Sequence, residues 1–483
     1  MTEQLKTVAA FVSYPWQHAV TWLRIARPLA AAGIEILQGS DPAAGIIRPE
    51  LVSKADAVVI QREFPAYSGT AYAQIVQRAR SEHKPLIYEI DDLLLELPPE
   101  HPDYQTHYYT YALLPILRAI IEANLVTTTT PILQTYYQAL NPNSCVLQNY
   151  LDDSLWWTRP YQVKQPTEPV VIGYMGSTTH GPDLEMIAPA MEWLLKQYGN
   201  RIQLKFWGAR PPEQILSPAW DVLEYTDGRP SNISWVPLEI PDYAKFAEFF
   251  SQQDCDIFIA PLANSFFNQC KSPIKFLEYS ISGVPGVYSR LAPYQGIIQD
   301  GENGFLAGSL NEWQSALSYL IEHPEIRVRV GKAAQNGVLE GWRLSNHAQE
   351  WTEAYQKALE KTRSDASDPK AAGLTQDERT QIFLRVATMV QDWLEILNQR
   401  ATQQNQTHQD LRAEEWAKAF EETHNELEHA RRQLAEIQQS ESWQLVTALD
   451  KVKRLLYPPG SQRERAVQKI ASLLMRGRSS NLE

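Results

Sequence analysis

Short apolar runs rich in β-branched residues recur along the chain, each followed by a stretch with helical spacing. Residues 7–13 (TVAAFVS), 34–37, 57–60 (AVVI), 86–90 and 125–128 read as strands. Between them, residues 18–32 place Trp22, Ile25, Ala26 and Leu29 at helical spacing and stop at Gly33. Residues 71–82 and 107–123 also read as helices, the second despite Pro115, and Pro131 opens another. A Trp- and Pro-rich stretch, 152–169, interrupts the series and reads as a connection between domains. The alternation then resumes with strands at 170–174 (VVIGY), 202–207, 233–236, 257–260 and 286–288, and helices at 183–198 and 243–251. Strands alternating with helices predict parallel sheets covered on both faces. The expected fold class is therefore α/β, with two doubly wound Rossmann-like domains, 1–160 and 161–362, facing a cleft. In such folds ligands gather beyond the carboxyl ends of the strands, which here carry Tyr14, Arg62, Asp91, Asp92 and Thr129.

The second domain holds the densest signal, DCDIFIAPLANSFFNQCKSPIKFLEYSISGVPGVYS over 254–289. It reads as strand, polar loop (261–272), helix, turn and strand. Pro273 suits the first helical position, with Ser272 as its cap and Ile274 beginning the run that Gly283 and Pro285 end. A helix start at a strand's carboxyl end favours an anion, and Lys271 and Lys275 add charge toward a diphosphate. Lys275 and Glu278 are three apart and share a helix face, where a carboxylate suits sugar or ribose hydroxyls; an ordinary surface ion pair gives the same spacing. Gly176, Ser177 and the small residues up to Gly181 form a second loop able to cradle phosphate, in which His180 reads as an exposed loop histidine. Asp91 and Asp92, beside a sugar, would orient an acceptor hydroxyl or act as base; equally, either would cap a short helix.

SPIKFLEY at 272–279 followed by Gly283-Val284-Pro285 resembles the donor-binding segment of GT-B glycosyltransferases, especially glycosyltransferase family 4. YEIDDLL at 88–94, with Thr128-Thr129-Thr130 and Leu147-Gln148-Asn149, is similar to the first domain of a bacterial subgroup of that family, and DGENGFL at 300–306 to a turn near the end of its second domain. The resemblance implies transfer of a sugar from a nucleotide-diphosphate sugar to a glycan, lipid or protein acceptor, with retention and without a metal or other cofactor. It assigns Lys271 and Lys275 to the leaving diphosphate, Gly176, Ser177, Ser272 and Ile274 to donor binding, Glu278 to the nucleotide ribose, Asp91 or Asp92 to the acceptor hydroxyl, and Tyr14 and Arg62 to the acceptor side. Of the family's two glutamates eight positions apart, Glu278 matches the second; the first falls on Cys270. The arginine and lysine common in the 176–181 loop are also missing. A catalytically degenerate GT-B scaffold acting through a coiled coil is the alternative of another class; a nucleotide-sugar epimerase is a rival enzyme. The resemblance also expects Trp342 and the helix at 345–361 to close the second domain, the last helix crossing back to the first.

The remaining 363–483 changes character. Residues 363–374 read as a polar linker. In 375–440, Ala413, Trp416, Phe420, Thr423, Leu427, Ala430, Leu434 and Ile437 form a heptad seam, which fits an intrachain helix pair or, by a slight preference, a homodimer through 413–437. The tail, 441–483, is basic and amphipathic; 443–478 would lie on an anionic membrane or pack on a partner helix, and resembles a module found beside coiled coils in bacterial surface-polysaccharide transferases. A formal net charge of −13 argues against nucleic-acid partners. Three widely spaced cysteines suggest a reducing compartment, no apolar run approaches a membrane span, and no signal peptide is evident. The expected location is the cytoplasm, with the tail available for peripheral contact at the inner membrane face.

Overall fold

The computed structural model describes residues 4–156, 158, 168–208, 232–236, 238 and 240–367. Among these, two parallel sheets of six strands each carry the architecture. The first contains β1 (Thr7–Phe11), β2 (Glu35–Gln38), β3 (Ala57–Gln61), β4 (Leu86–Glu89), β5 (Leu125–Thr128) and β6 (Ser144–Val146), in the order β2-β1-β3-β4-β5-β6. The second contains β7 (Val170–Met175), β8 (Ile202–Trp207), β9 (Ile233–Val236), β10 (Ile257–Ala260), β11 (Gly286–Ser289) and β12 (Phe305–Ala307), in the order β9-β8-β7-β10-β11-β12. The strand order reverses between β1 and β3 in one sheet and between β7 and β10 in the other. These reversals open crevices at the carboxyl ends, where the candidate residues sit. Every residue of β3 and β10 is buried, as expected of parallel strands covered on both faces.

The first domain's core is completed from the far end of the chain. Val8, Ala10, Ile25, Leu29 and Val59 pack with Trp351, Tyr355 and Leu359 of the last described helix, Gln349–Ser367. Burying each large side chain contributes roughly 1.5–3 kcal/mol. Gln356 Oε1 also accepts from the Leu5 amide (2.8 Å), and the Tyr150 hydroxyl donates to Glu350 (2.9 Å). The return to the first domain is thus present, and its helix continues to Ser367, into the stretch read as linker.

Several local expectations change. The helix expected over 18–32 forms in three pieces, Ala19–Thr21, a π-helical turn Trp22–Ala26, and Arg27–Ala31. Pro28 has no amide hydrogen to continue the ordinary ladder, and the wider turn precedes it. Pro115 falls in the first turn of Leu113–Glu122, where its missing donor costs little. The polar loop of 261–272 contains a short helix, Phe266–Gln269. Pro273, not Ser272, occupies the cap position of Ile274–Ser280, and no side chain caps that helix. Neither Asp91 nor Asp92 caps a helix, because the chain after β4 runs into turns.

The boundary at residue 160 falls within 159–167, outside the described residues, as do 368–483 with the heptad seam and the basic tail. Among the described residues, no helix is long and apolar enough to cross a membrane.

Candidate functional site

The loop and helix after β10 bring two cations to the edge of the second sheet. Lys271 Nζ lies 4.5 Å from the centroid of the Phe267 ring. Lys275 Nζ lies 4.8 Å from the Tyr174 ring centroid and donates to the Tyr174 hydroxyl at 3.3 Å. Among the described residues, neither ammonium has a carboxylate oxygen within 4 Å. Burial, followed by the nearby Lys271 charge, overcomes the attraction of Asp183 and Glu278 and lowers the Lys275 pKa to about 8.

The loop after β7 supplies the other wall. Gly176 has no side chain where a Cβ would stand 2.3 Å from the Tyr174 hydroxyl, so that hydroxyl is free to reach Lys275. Gly208, at φ +125°, closes on the Gly176 carbonyl so tightly that a Cβ would lie 1.9 Å from its oxygen. Ser177 is exposed and shares a hydrogen bond with the Thr179 hydroxyl (2.7 Å).

His180 is not the exposed histidine expected: its side chain is only 14% exposed and is bound on both ring nitrogens. Nδ1 meets Asp183 Oδ2 at 2.7 Å, and Nε2 faces Lys275 Nζ at 3.5 Å. Asp183 Oδ1 accepts from the Ala263 amide (2.7 Å) and from Asn268 Nδ2 (2.9 Å). These donors and His180 outweigh burial and hold the Asp183 pKa below its ordinary value. Burial and the Lys275 charge press His180 down to about 3, so its imidazole is neutral. Asp183 carries no sequence signal: it lies in the first turn of Gly181–Tyr198, and apart from His180, three residues before it, its partners Ala263 and Asn268 are eighty residues and more away.

Glu278 is buried, only 4% exposed, which excludes an ordinary surface pair with Lys275. Its Oε1 accepts from the Tyr243 hydroxyl (2.8 Å), and burial raises its pKa to about 7 against the opposing effects of that bond and of Lys275. Ile274 packs against the core that contains Phe276 and Leu277. Cys270 is fully buried, with its thiol pushed up to about 12 by burial and by the charges of Asp92 and Glu96.

The residues expected on the acceptor side form a second cluster at the ends of β3 and β4. Arg62 is buried at φ +46°, a strained backbone held by the hydrogen bond its N–H donates to the Glu89 carbonyl (2.9 Å) and by the one its carbonyl accepts from the Tyr88 hydroxyl (2.6 Å). Its Nε lies 3.4 Å from Asp91 Oδ1 and 3.6 Å from Glu63 Oε2, and its Nη2 donates to the Tyr109 hydroxyl at 3.1 Å. Its guanidinium lies 5.5 Å from the Tyr14 ring centroid, and Tyr14 stacks on His18 at 4.5 Å. Asp92 is half-buried and raised in pKa, chiefly by burial; Lys271 is the strongest opposing charge.

A shallow crevice between the domains is lined by Glu100 and His101 of the first and by Thr179, His180, Asp183 and Lys271 of the second. Two hydrogen bonds across the domains hold the loop that carries Lys271. The Thr130 hydroxyl donates to the Cys270 carbonyl (2.9 Å), and Asn149 Nδ2 donates to the Ser272 hydroxyl (2.8 Å). Asn149 Oδ1 in turn accepts from Arg24 (2.9 Å), whose guanidinium forms a buried pair with Glu89 at 2.6 Å. Among the described residues, no group of three or more His, Cys, Asp or Glu is placed to hold a metal ion.

No family model matches this chain, and no curated protein does. Solved structures do. Sucrose-phosphate synthase from Thermosynechococcus elongatus superposes with a TM-score of 0.52 at 14% identity, over 74% of this chain and all of its own. The fold is GT-B. HepE of Anabaena, solved in complex with UDP-glucose, gives a TM-score of 0.50 at 15% identity over 75% of this chain and all of its own. In GT-B terms, the Lys271–Glu278 segment belongs to the second domain and the Tyr14–Arg62–Asp91 cluster to the first, on either side of the interdomain cleft.

Proposed function

We propose that this chain is a glycosyltransferase that moves a sugar from a nucleotide-diphosphate sugar to a glycan, lipid or protein acceptor, as the likeness of 272–285 to family 4 implies. The observation that carries this reading is the pair Lys271 and Lys275, two ammonium groups that have no carboxylate partner among the described residues, at the carboxyl edge of the second sheet. Charge develops on the diphosphate as the bond from the sugar's anomeric carbon to the phosphate oxygen breaks, and fixed cations there stabilise the transition state more than the ground state. The electron pair leaves with the phosphate. The acceptor hydroxyl, oriented by Asp91 or Asp92, forms the new bond and passes its proton to the departing phosphate oxygen. Glu278 takes the ribose, Gly176 and Ser177 the phosphates, and Tyr14 and Arg62 the acceptor. Transfer proceeds with retention, the lysines do the work a metal does elsewhere, and the product is a surface polysaccharide or glycoconjugate made on the cytoplasmic side.

The test is binding and hydrolysis of UDP-, ADP- and GDP-sugars by the purified chain, with and without EDTA, beside Lys275→Ala and Glu278→Ala. Selective binding of one donor, lost in both variants and indifferent to EDTA, supports the reading; NMR of the product's anomeric proton then decides retention. A folded chain that binds none of them sinks it in favour of the scaffold, for which the buried Cys270 in place of a glutamate is the supporting observation.

A further inference from the structure

The second domain contains an arrangement that the reading above does not use. Asp183 Oδ2 and His180 Nδ1 are 2.7 Å apart. An ionised carboxylate only accepts, so the proton between them sits on Nδ1. His180 is neutral, and therefore Nε2 bears a lone pair, 3.5 Å from the Lys275 ammonium. Asp183 cannot easily turn away, because its other oxygen is held by two donors, the Ala263 amide and Asn268 Nδ2.

Resting on the donor-site assignment, we propose that Asp183 and His180 are positioning residues for the donor diphosphate: the carboxylate fixes the imidazole in the tautomer that accepts from Lys275, so that the ammonium is aimed and kept charged without a carboxylate competing with the phosphates. A carboxylate in the place of Nε2 would hold the ammonium more strongly but would repel the diphosphate. A neutral acceptor orients the cation and leaves its charge to the ligand. The groups that act on Lys275 come from each neighbouring element: the Tyr174 hydroxyl from β7, His180 and Asp183 from the following loop and helix, Lys271 from its own loop and Glu278 from its own helix. Their sum leaves Lys275 titrating near pH 8 in the free protein. A bound diphosphate raises that pKa. Donor binding is therefore strongest below pH 8 and weakens by about tenfold per pH unit above it, until the bound-state pKa is reached.

Asp183→Asn gives a sharp test. Two donors claim the position of Oδ1, so the asparagine places its carbonyl there and turns its NH2 toward His180. Nδ1 must then accept, the proton moves to Nε2, and an N–H faces the ammonium. The first measurement is long-range 1H–15N NMR of histidine-labelled protein, with His180 assigned through His180→Gln. The expected result is a bare Nε2 in the wild type and a protonated Nε2 in Asp183→Asn; a protonated Nε2 in the wild type overturns the proposal whatever the chain binds. The second is calorimetric affinity for UDP-glucose from pH 6.5 to 9.5. Asp183→Asn and His180→Phe should shift the midpoint down by about one pH unit, weakening binding about fivefold at pH 8 and about tenfold at pH 9. His180→Gln, whose carbonyl can stand in for Nε2, should restore most of it. If Lys275→Ala abolishes binding while Asp183→Asn keeps the wild-type pH profile, the positioning role fails and the donor site stands. If Lys275→Ala binds normally, the donor-site reading fails and the proposal with it. No binding of UDP-glucose at any pH overturns the proposal for UDP-sugars.

Discussion

The two domains treat their buried cations differently. In the first, Arg24 forms a forked pair with Glu89, and Arg62 sits between Glu63 and Asp91. In the second, Lys271 and Lys275 rest over aromatic rings, and the acceptors nearest Lys275 are an imidazole and a phenol. A buried cation with a carboxylate completes a structure, because removing either partner strands the other. A half-buried cation held only by neutral groups still has its charge to spend on a ligand. The contrast separates Arg24 and Glu89, which hold the first domain together, from the two lysines, whose charge is left for the anion proposed above.

The sharpest way to break this comparison is to remove one compensated charge. Arg24→Met should destabilise the fold by about 3–5 kcal/mol, since it leaves Glu89 buried without its partner. Urea unfolding measures this, and a loss under 1 kcal/mol would mean the pair is not structural. Glu278→Gln comes next. The folded-state pKa of about 7 lies above the ordinary 4.5, so the contribution of Glu278 to stability is complete below pH 4.5 and lost as pH rises through 7. The variant should match wild type at pH 4 and exceed it by about 3 kcal/mol at pH 9, read from thermal or urea unfolding at both pH values. Lys275→Ala should leave stability at pH 7 unchanged or improved, because burial already opposes its charge, yet cost about 1.5–3 kcal/mol of donor affinity. Parallel losses of stability and affinity would erase the distinction between the domains. Tyr174→Phe should produce the smallest effect, about 0.5–1 kcal/mol of affinity, because it removes a single neutral acceptor from the ammonium.

The contrast also marks where sequence reasoning reached and where it stopped. Strand runs such as 57–60 and 257–260 were legible because a strand buried on both faces needs only local composition. The shared face of Lys275 and Glu278 followed from helix geometry. Their burial did not, because it depends on Tyr243 beside Glu278 and on Tyr174 and His180 beside Lys275, brought in by other elements. The Arg24–Glu89 pair spans 65 positions, and Asp183 meets Asn268 across 85, so neither leaves a local pattern. His180 looked exposed for the same reason: a loop of small residues predicts a turn, and says nothing of what folds over it. Ser272 stands where a cap is expected, before Pro273, yet its hydroxyl accepts instead from Asn149 of the other domain.

The returning helix has a practical consequence for anyone recombining chains of this fold. Trp351, Tyr355 and Leu359 are written at the end of the second domain but fill the interior of the first. An exchange of second domains between chains of this fold at the obvious seam, near residue 160, would transplant a foreign plug into the first domain. Chimeras should therefore keep 344–367 with the native 1–156, and make the second cut between Gly341 and Leu344. Sequence order and physical ownership part company there, and a library designed on the former alone would be discarding its own hydrophobic interior.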